Sequence, residues 1–203
     1  KKHPNLTIIS DDIYSRIYFG EKMAPPHLLQ ADPELKDRLL IVNGASKSYA
    51  MTGWRVGWGV GPNWLMAPLI TYMGQTTTNV CNISQRAAFG ALAFGESDLK
   101  KNVLNLKNRR DLFCLELNKI PGLSLTVPDG AFYCWTNVQQ ILKNLNLKSS
   151  RDLSLRLLEE KHLATVPGVE FGTEGYLRLS FANSDQNLLE AIKRLDSFVA
   201  LNS

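Results

Sequence analysis

Apolar runs and polar breaks divide the chain into two parts of different character. Leu6-Thr7-Ile8-Ile9 closes at Ser10-Asp11-Asp12. Leu39-Leu40-Ile41-Val42 closes at Asn43-Gly44, and Val56-Gly57-Trp58-Gly59-Val60 closes at Gly61-Pro62. Continuous rather than alternating runs of this length predict strands of a parallel sheet covered on both faces. Ligands of such sheets bind beyond the carboxyl ends of the strands, which is where the polar residues collect here. From about residue 97 the pattern changes. Ser97 is placed to cap a helix with Leu99, Val103, Leu106, Phe113 and Leu117 on its apolar side, and Pro121-Gly122 stops it. Alternating strands are expected over 131–138 and 176–182, with a helix marked by Leu153, Leu157 and Leu158 between them. Ser184 then caps a last helix with Leu188, Ile192, Leu195 and Val199 on one face. The expected fold class is α/β, a mostly parallel sheet with helices in residues 1–96. A smaller α+β domain follows in residues 97–203, the two being joined by a long helix.

Composition narrows the class. The 203 residues are 44% hydrophobic and 21% charged, ordinary for a globular chain and wrong for a disordered one. No apolar run approaches the ~20 residues of a membrane span, so no membrane association is expected. The polar opening Lys1-Lys2-His3-Pro4-Asn5 has no signal-peptide pattern. With no initiator methionine, the chain is expected to be a piece of something longer. The net charge of +4 raises nucleic-acid binding, but the cations are spread. Their densest cluster, Lys107-Asn108-Arg109-Arg110, lies in a helical pattern and fits a solvated helix face better than a nucleic-acid patch. Cys81, Cys114 and Cys134 have no C-x-x-C spacing; the sparse, odd count suits free buried thiols in a reducing compartment, hence the cytoplasm. His3, His27 and His162 lie far apart, so no metal site is expected.

Three segments carry candidate chemistry. In Gly44-Ala45-Ser46-Lys47-Ser48-Tyr49-Ala50-Met51-Thr52-Gly53-Trp54-Arg55-Val56-Gly57, a lysine follows a buried strand in a turn rich in small residues. A lysine held in a desolvated pocket loses proton affinity and becomes a nucleophile towards carbonyls. Arg55 supplies a planar cation suited to a phosphate. The pattern alone equally fits a surface loop with two unrelated cations. In Ser10-Asp11-Asp12-Ile13-Tyr14, adjacent carboxylates of an extended chain point to opposite faces. They make a poor acid–base pair and read as turn residues. In Gly175-Tyr176-Leu177-Arg178-Leu179-Ser180-Phe181, alternation places Leu177, Leu179 and Phe181 on one face and Arg178 on the other. A salt bridge to a nearby acid is the plain alternative for Arg178.

The string S-K-x-Y-x-M-T-G-W-R-x-G resembles the active-site segment of fold-type I pyridoxal-phosphate enzymes, specifically class I/II aminotransferases. Its wording, with Gly74-Gln75-Thr76-Thr77-Thr78-Asn79, is nearest the aspartate/prephenate type. The resemblance implies that Lys47 is the catalytic lysine bonded to pyridoxal 5'-phosphate and that Arg55 grips its phosphate. Asp11 would face the pyridine nitrogen and Tyr14 the ring oxygen, as the D-x-x-Y spacing matches. Arg178, in a matching G-x-x-R-x-S/A-F strand, would bind the substrate α-carboxylate. Gly44 stands where many relatives carry a phosphate-binding serine, which leaves it only a backbone contact. Pro128-Asp129-Gly130-Ala131-Phe132-Tyr133 and Val166-Pro167-Gly168-Val169-Glu170-Phe171-Gly172 match family loops and read as structural turns. Gln75 to Asn79 resembles a stretch that approaches the partner subunit's cofactor phosphate; a plain polar loop fits as well.

The resemblance runs from about Thr7 to the end of the chain and covers the later half of the family's pattern. It implies that residues 1–96 belong to the cofactor-binding large domain and 97–203 to the small C-terminal domain. It implies an enzyme moving an amino group between an amino acid and a 2-oxo acid, and a homodimer in the full-length protein. The missing N-terminal half is a candidate partner chain, because strands taken from a larger sheet leave an open edge and uncovered apolar surface. Two alternatives stay open: a catalytically incomplete fragment that keeps the fold, and another fold-type I enzyme such as a lyase.

Overall fold

A computed structural model describes residues 3, 5–21 and 25–202. Lys1, Lys2 and Pro4 of the polar opening lie outside the described residues. The chain divides into two compact units, Lys1–Val103 and Leu104–Ser203.

The first unit holds a three-stranded sheet in the order β1 (Ile8–Asp11), β2 (Leu39–Gly44), β3 (Gly57–Val60). β1 and β2 pair in parallel, Asp11 opposite Val42, whereas β3 runs antiparallel to β2. The sheet is therefore mixed, and the expectation of three parallel strands is corrected. The reason is local: residues 45–56 hold only a one-turn helix at Thr52–Trp54 and no α-helix of the kind that carries a parallel crossover. Burial on both faces is corrected too. β1 alternates half-buried and exposed residues, and Ile9 is 69% exposed. The core of this unit gathers Ile17, Leu39 and Leu40 with a cluster of Ala45, Met51 and Ala88.

Two helices, α2 (Asn63–Thr76) and α3 (Asn82–Phe94), occupy a stretch whose pattern showed no helical stripe. Their apolar residues run all round rather than along one side, so periodicity carries no signal. α2 also carries Pro68 in its interior and none of its residues is buried, although proline there removes a helix hydrogen bond. A short helix α1 (Leu28–Ala31) precedes β2, and α4 (Glu96–Leu117) runs across the division between the units. Ser97 lies inside the first turn of α4 rather than at its cap, because the helix already starts at Glu96 with Leu99 N–H bonded to Gly95 O.

The second unit is α+β. Its sheet has the order β4 (Ser124–Leu125), β5 (Tyr133–Asn137), β7 (Tyr176–Ser180), β6 (Val166–Pro167), with every pairing antiparallel. α5 (Gln139–Asn144), α6 (Ser150–Lys161) and α7 (Asp185–Leu201) complete it. Alternation holds as expected: Leu177, Leu179 and Phe181 are buried, while Tyr176 and Arg178 are half-buried on the other face. Ser184 caps α7 by accepting the Asn187 N–H at 3.2 Å. Leu157, Phe181 and Phe198, all at 0% exposure, sit at the centre of this core.

Candidate active site

In the first unit the sequence-predicted residues gather around the carboxyl ends of β1 and β2. β1 ends at Asp11, and the turn that follows is held by Asp12 N–H to Val42 O at 2.8 Å and Ser15 N–H to Asp12 O at 2.9 Å. That turn carries Tyr14. β2 ends at Gly44, and the following loop carries Lys47. Lys47 Nζ lies 6.0 Å from the centre of the Tyr14 ring, so parallel pairing brings together residues 33 positions apart in sequence.

The two adjacent aspartates have different tasks. Asp11 is exposed; its Oδ1 accepts the Ile13 N–H at 3.2 Å. Asp12 is half-buried: Oδ1 accepts the Ser10 hydroxyl at 2.7 Å and Oδ2 lies 3.0 Å from His27 Nε2. His27 Nδ1 in turn accepts the Leu29 N–H. Asp12 is thus turned into the loop beside His27, and Asp11 is left at the strand end. The pattern did not reveal His27, because its partner lies 15 residues away across a loop.

The loop between Lys47 and Arg55 is anchored by burial of Ala45 and Met51, against which Tyr49, Val56 and Trp58 pack. It closes through Met51 N–H to Ser46 O at 3.1 Å and Ala50 N–H to Lys47 O at 3.3 Å. Ala50 and Arg55 both adopt left-handed backbone, each at φ 54°, a conformation uncommon for residues with a side chain and concentrated at functional sites. The Arg55 guanidinium is exposed and donates to Thr52 O at 2.9 Å; among the described residues no carboxylate pairs with it. A planar cation lacking a counter-charge suits a phosphate.

Gly44 is fixed by space. A Cβ there would lie 2.9 Å from Val56 O, a backbone atom, and 3.2 Å from Ile13 Cδ1. Serine therefore has no room. The Gly44 N–H donates to Asn43 Oδ1 at 2.7 Å. The donor set here, an amine, a carboxylate, a phenol and a guanidinium, fits a pyridoxal 5'-phosphate group.

Of the Gln75 to Asn79 stretch, Thr76 and Thr77 direct their hydroxyls back to Tyr72 O and Met73 Sδ. Thr78 and Asn79 line an open groove of about 500 Å³ with Val56, Gly57 and Trp58.

In the second unit Arg178 lies beside two rings, its Cζ 4.3 Å from the centre of Tyr133 and 4.7 Å from that of Phe171. Trp135 extends this aromatic face, stacked on Tyr176 at 5.4 Å and edge-on to Phe171 at 5.6 Å. Among the described residues no carboxylate pairs with Arg178, so the salt-bridge alternative is not realised. Aromatic rings this close favour the guanidinium cation, and a planar guanidinium can still offer two N–H groups to a planar anion.

The two loops read as turns position those rings. The turn at 168–171 is tight because Gly168 has no side chain; a Cβ would lie 2.4 Å from Thr173 O. Ala131, at φ 58°, turns the chain into β5 and Tyr133. Tyr133 and Phe171 were missed as site residues because an aromatic beside a turn glycine reads as packing. Glu174 fixes the entry to β7, accepting the Gly175 N–H at 2.7 Å and the Ser150 N–H at 2.5 Å. Burial raises its carboxyl, but these amide donors outweigh that and hold it below the ordinary value.

The basic cluster is accounted for within the fold. Arg109 pairs with Asp185 at 2.8 Å, and Arg110 is buried, donating to Pro128 O and Asp111. Among the described residues no group of His, Cys, Asp or Glu is placed to hold a metal ion, and no helix is long and apolar enough to cross a membrane.

Comparison with known proteins gives one consistent family. The model of aminotransferase class I and II matches residues 1–195. A probable aspartate/prephenate aminotransferase from Rickettsia typhi is 41% identical over 200 residues, 96% of this chain and 50% of that protein. The solved aspartate aminotransferase from Rhizobium meliloti superposes with a TM-score of 0.92 at 36% identity, over 100% of this chain and 52% of that one. For the aspartate aminotransferase from Thermotoga maritima the TM-score is 0.85 at 34% identity, over 100% of this chain and 49% of that one. The chain thus spans about half the length of the relatives it matches.

Proposed function

The chain belongs to the aminotransferase class I and II family, and on that premise we propose that it is the C-terminal half of a pyridoxal 5'-phosphate-dependent aminotransferase. Its substrates are an amino acid and a 2-oxo acid, with an aspartate-type donor as the first choice. The observation that carries the reading is the meeting of Lys47 with Tyr14 at the carboxyl ends of β1 and β2, where Asp11 also sits.

When bound, pyridoxal 5'-phosphate supplies an electron sink that weakens the α C–H bond of an amino acid. Lys47 Nζ accepts the α-proton as general base and returns it as general acid. Asp11, at the end of β1, would hold the ring nitrogen of the group and keep it protonated. Tyr14 supplies a phenol for the ring oxygen, and Arg55 binds the phosphate. Gly44 contributes a close backbone approach and no side chain. Arg178 takes the substrate α-carboxylate as a two-pronged donor, its plane set by Tyr133 and Phe171. Residues 1–96 act as part of the cofactor-binding domain and 97–203 as the small domain. The full-length protein is read as a homodimer, and the three free cysteines support a reducing compartment, the cytoplasm.

The test is a product analysis on the full-length protein with a panel of amino acids. Aminotransfer predicts a 2-oxo acid formed one for one with the amino group passed to an added 2-oxo acid, and Lys47→Ala abolishes it. Release of free ammonia or loss of the side chain instead would assign a lyase. The half-length chain is expected to turn over poorly, because about half of each relative lies outside it.

A further inference from the structure

Two thiols in the second unit face each other with no part in the chemistry above. Cys114 on α4 and Cys134 on β5 have their sulfurs 3.4 Å apart, at 1% and 0% exposure. They are free thiols, and closing the pair needs the sulfurs to approach to the ~2.05 Å of a disulfide. Arg110 lies one turn before Cys114 on the same helix, itself buried and donating to Pro128 O and to Asp111. A buried cation beside a thiol pair is the setting that favours a thiolate. The two sulfurs are within hydrogen-bond reach and either can donate; the contact with Cys134 holds the Cys114 thiol below the ordinary value, and Arg110 adds to this against burial and Asp111. The same contact, with burial, pushes Cys134 up. Arg110 stands on the α4 side of the pair, one turn before Cys114, which makes Cys114 the sulfur to attack first and Cys134 the one to follow.

We propose that Cys114 and Cys134 are an oxidation site, a nucleophilic and a resolving cysteine that close to an intramolecular disulfide when met by a hydroperoxide. The Cys114 thiolate attacks one peroxide oxygen; an S–O bond forms, the O–O bond breaks and hydroxide leaves. That hydroxide takes the Cys134 proton and becomes water. The Cys134 thiolate then attacks the Cys114 sulfur, forming S–S and breaking S–O. The departing hydroxide takes up the proton that Cys114 first released. Two thiols and one hydrogen peroxide give one disulfide and two waters, and two electrons pass from sulfur to oxygen. Hydrogen peroxide is small enough to reach a buried pair through local opening. The bond would tie α4 to β5 behind the strand face that carries Tyr133 and Trp135, because alternate residues of β5 point to opposite sides. The proposal stands apart from the aminotransferase reading.

The test treats the folded chain with hydrogen peroxide, blocks remaining thiols under denaturing conditions, and maps the peptides without reduction. The expected result is a peptide pair joined through Cys114 and Cys134 as the main product. It persists in Cys81→Ser, where exchange with the exposed Cys81 is removed. In Cys134→Ser the link is lost and Cys114 is recovered as a sulfenic acid trapped by a dione reagent. Recovery of both Cys114 and Cys134 as free thiols, or a link that forms only after unfolding in urea, overturns the proposal.

Discussion

Gly44 and Arg178 show how single residues are fixed by what surrounds them. A side chain at Gly44 meets backbone at 2.9 Å, and backbone cannot yield as a flexible side chain does. Gly44→Ser should therefore destabilise by roughly 1–3 kcal/mol, the usual cost of overpacking, read as a lowered urea midpoint with an unchanged slope. Arg178 depends on planarity. In the full-length protein, Arg178→Lys keeps the charge but loses the two-pronged contact and the planar packing beside Tyr133 and Phe171. Amino-acid binding should weaken at least about tenfold, since hydrogen bonds to charged groups are worth about 1.5–3 kcal/mol, with cofactor uptake unchanged. Glu174 gives a pH prediction. Its folded carboxyl lies below the ordinary value, so its stabilising effect is complete above the unfolded value of about 4.3. It is lost as pH falls through the folded value. Glu174→Gln should lower the urea midpoint more at pH 7 than in acid, the difference shrinking as pH falls below about 4.3; an equal loss at every pH would show that the charge is not what matters.

At the scale of elements, β7 carries the second unit. Its buried side, continued by Phe181 at 0% exposure, faces the core, while its other side holds Arg178. Phe181→Ala should cost about 3–5 kcal/mol, seen as an early unfolding transition. β7 and α7 were legible because alternation and a one-sided apolar stripe are periodic, and a capping serine marks a boundary. The Lys47 loop was legible as a string of residue types rather than as a pattern. What escaped is also physical. α2 and α3 expose apolar residues on all sides and give no stripe. The direction of β3 depends on whether the preceding segment forms a crossover helix, which the hydrophobicity of the strands does not record. The rings beside Arg178 and the approach of His27 to Asp12 come from turns and long-range pairing, and neither leaves a local mark.

At the scale of the whole molecule, each unit has its own core, yet the first leaves much apolar surface exposed, Ile70 at 67% and Phe94 at 79% among them. Exposed apolar surface on this scale is what interaction faces carry. The chain spans about half of its relatives, and we expect it to bind a hydrophobic dye and to associate as its concentration rises in sedimentation velocity. A dye-silent monomer at all concentrations would oppose this. The central claim, that Lys47 is the lysine of a pyridoxal-phosphate site, has a direct test. The chain is mixed with pyridoxal 5'-phosphate, reduced with borohydride and mapped by mass spectrometry, beside Lys47→Ala. The account predicts one saturable adduct, on Lys47, absent from the variant. Adducts scattered over exposed lysines, with Lys47 unmodified, would contradict it.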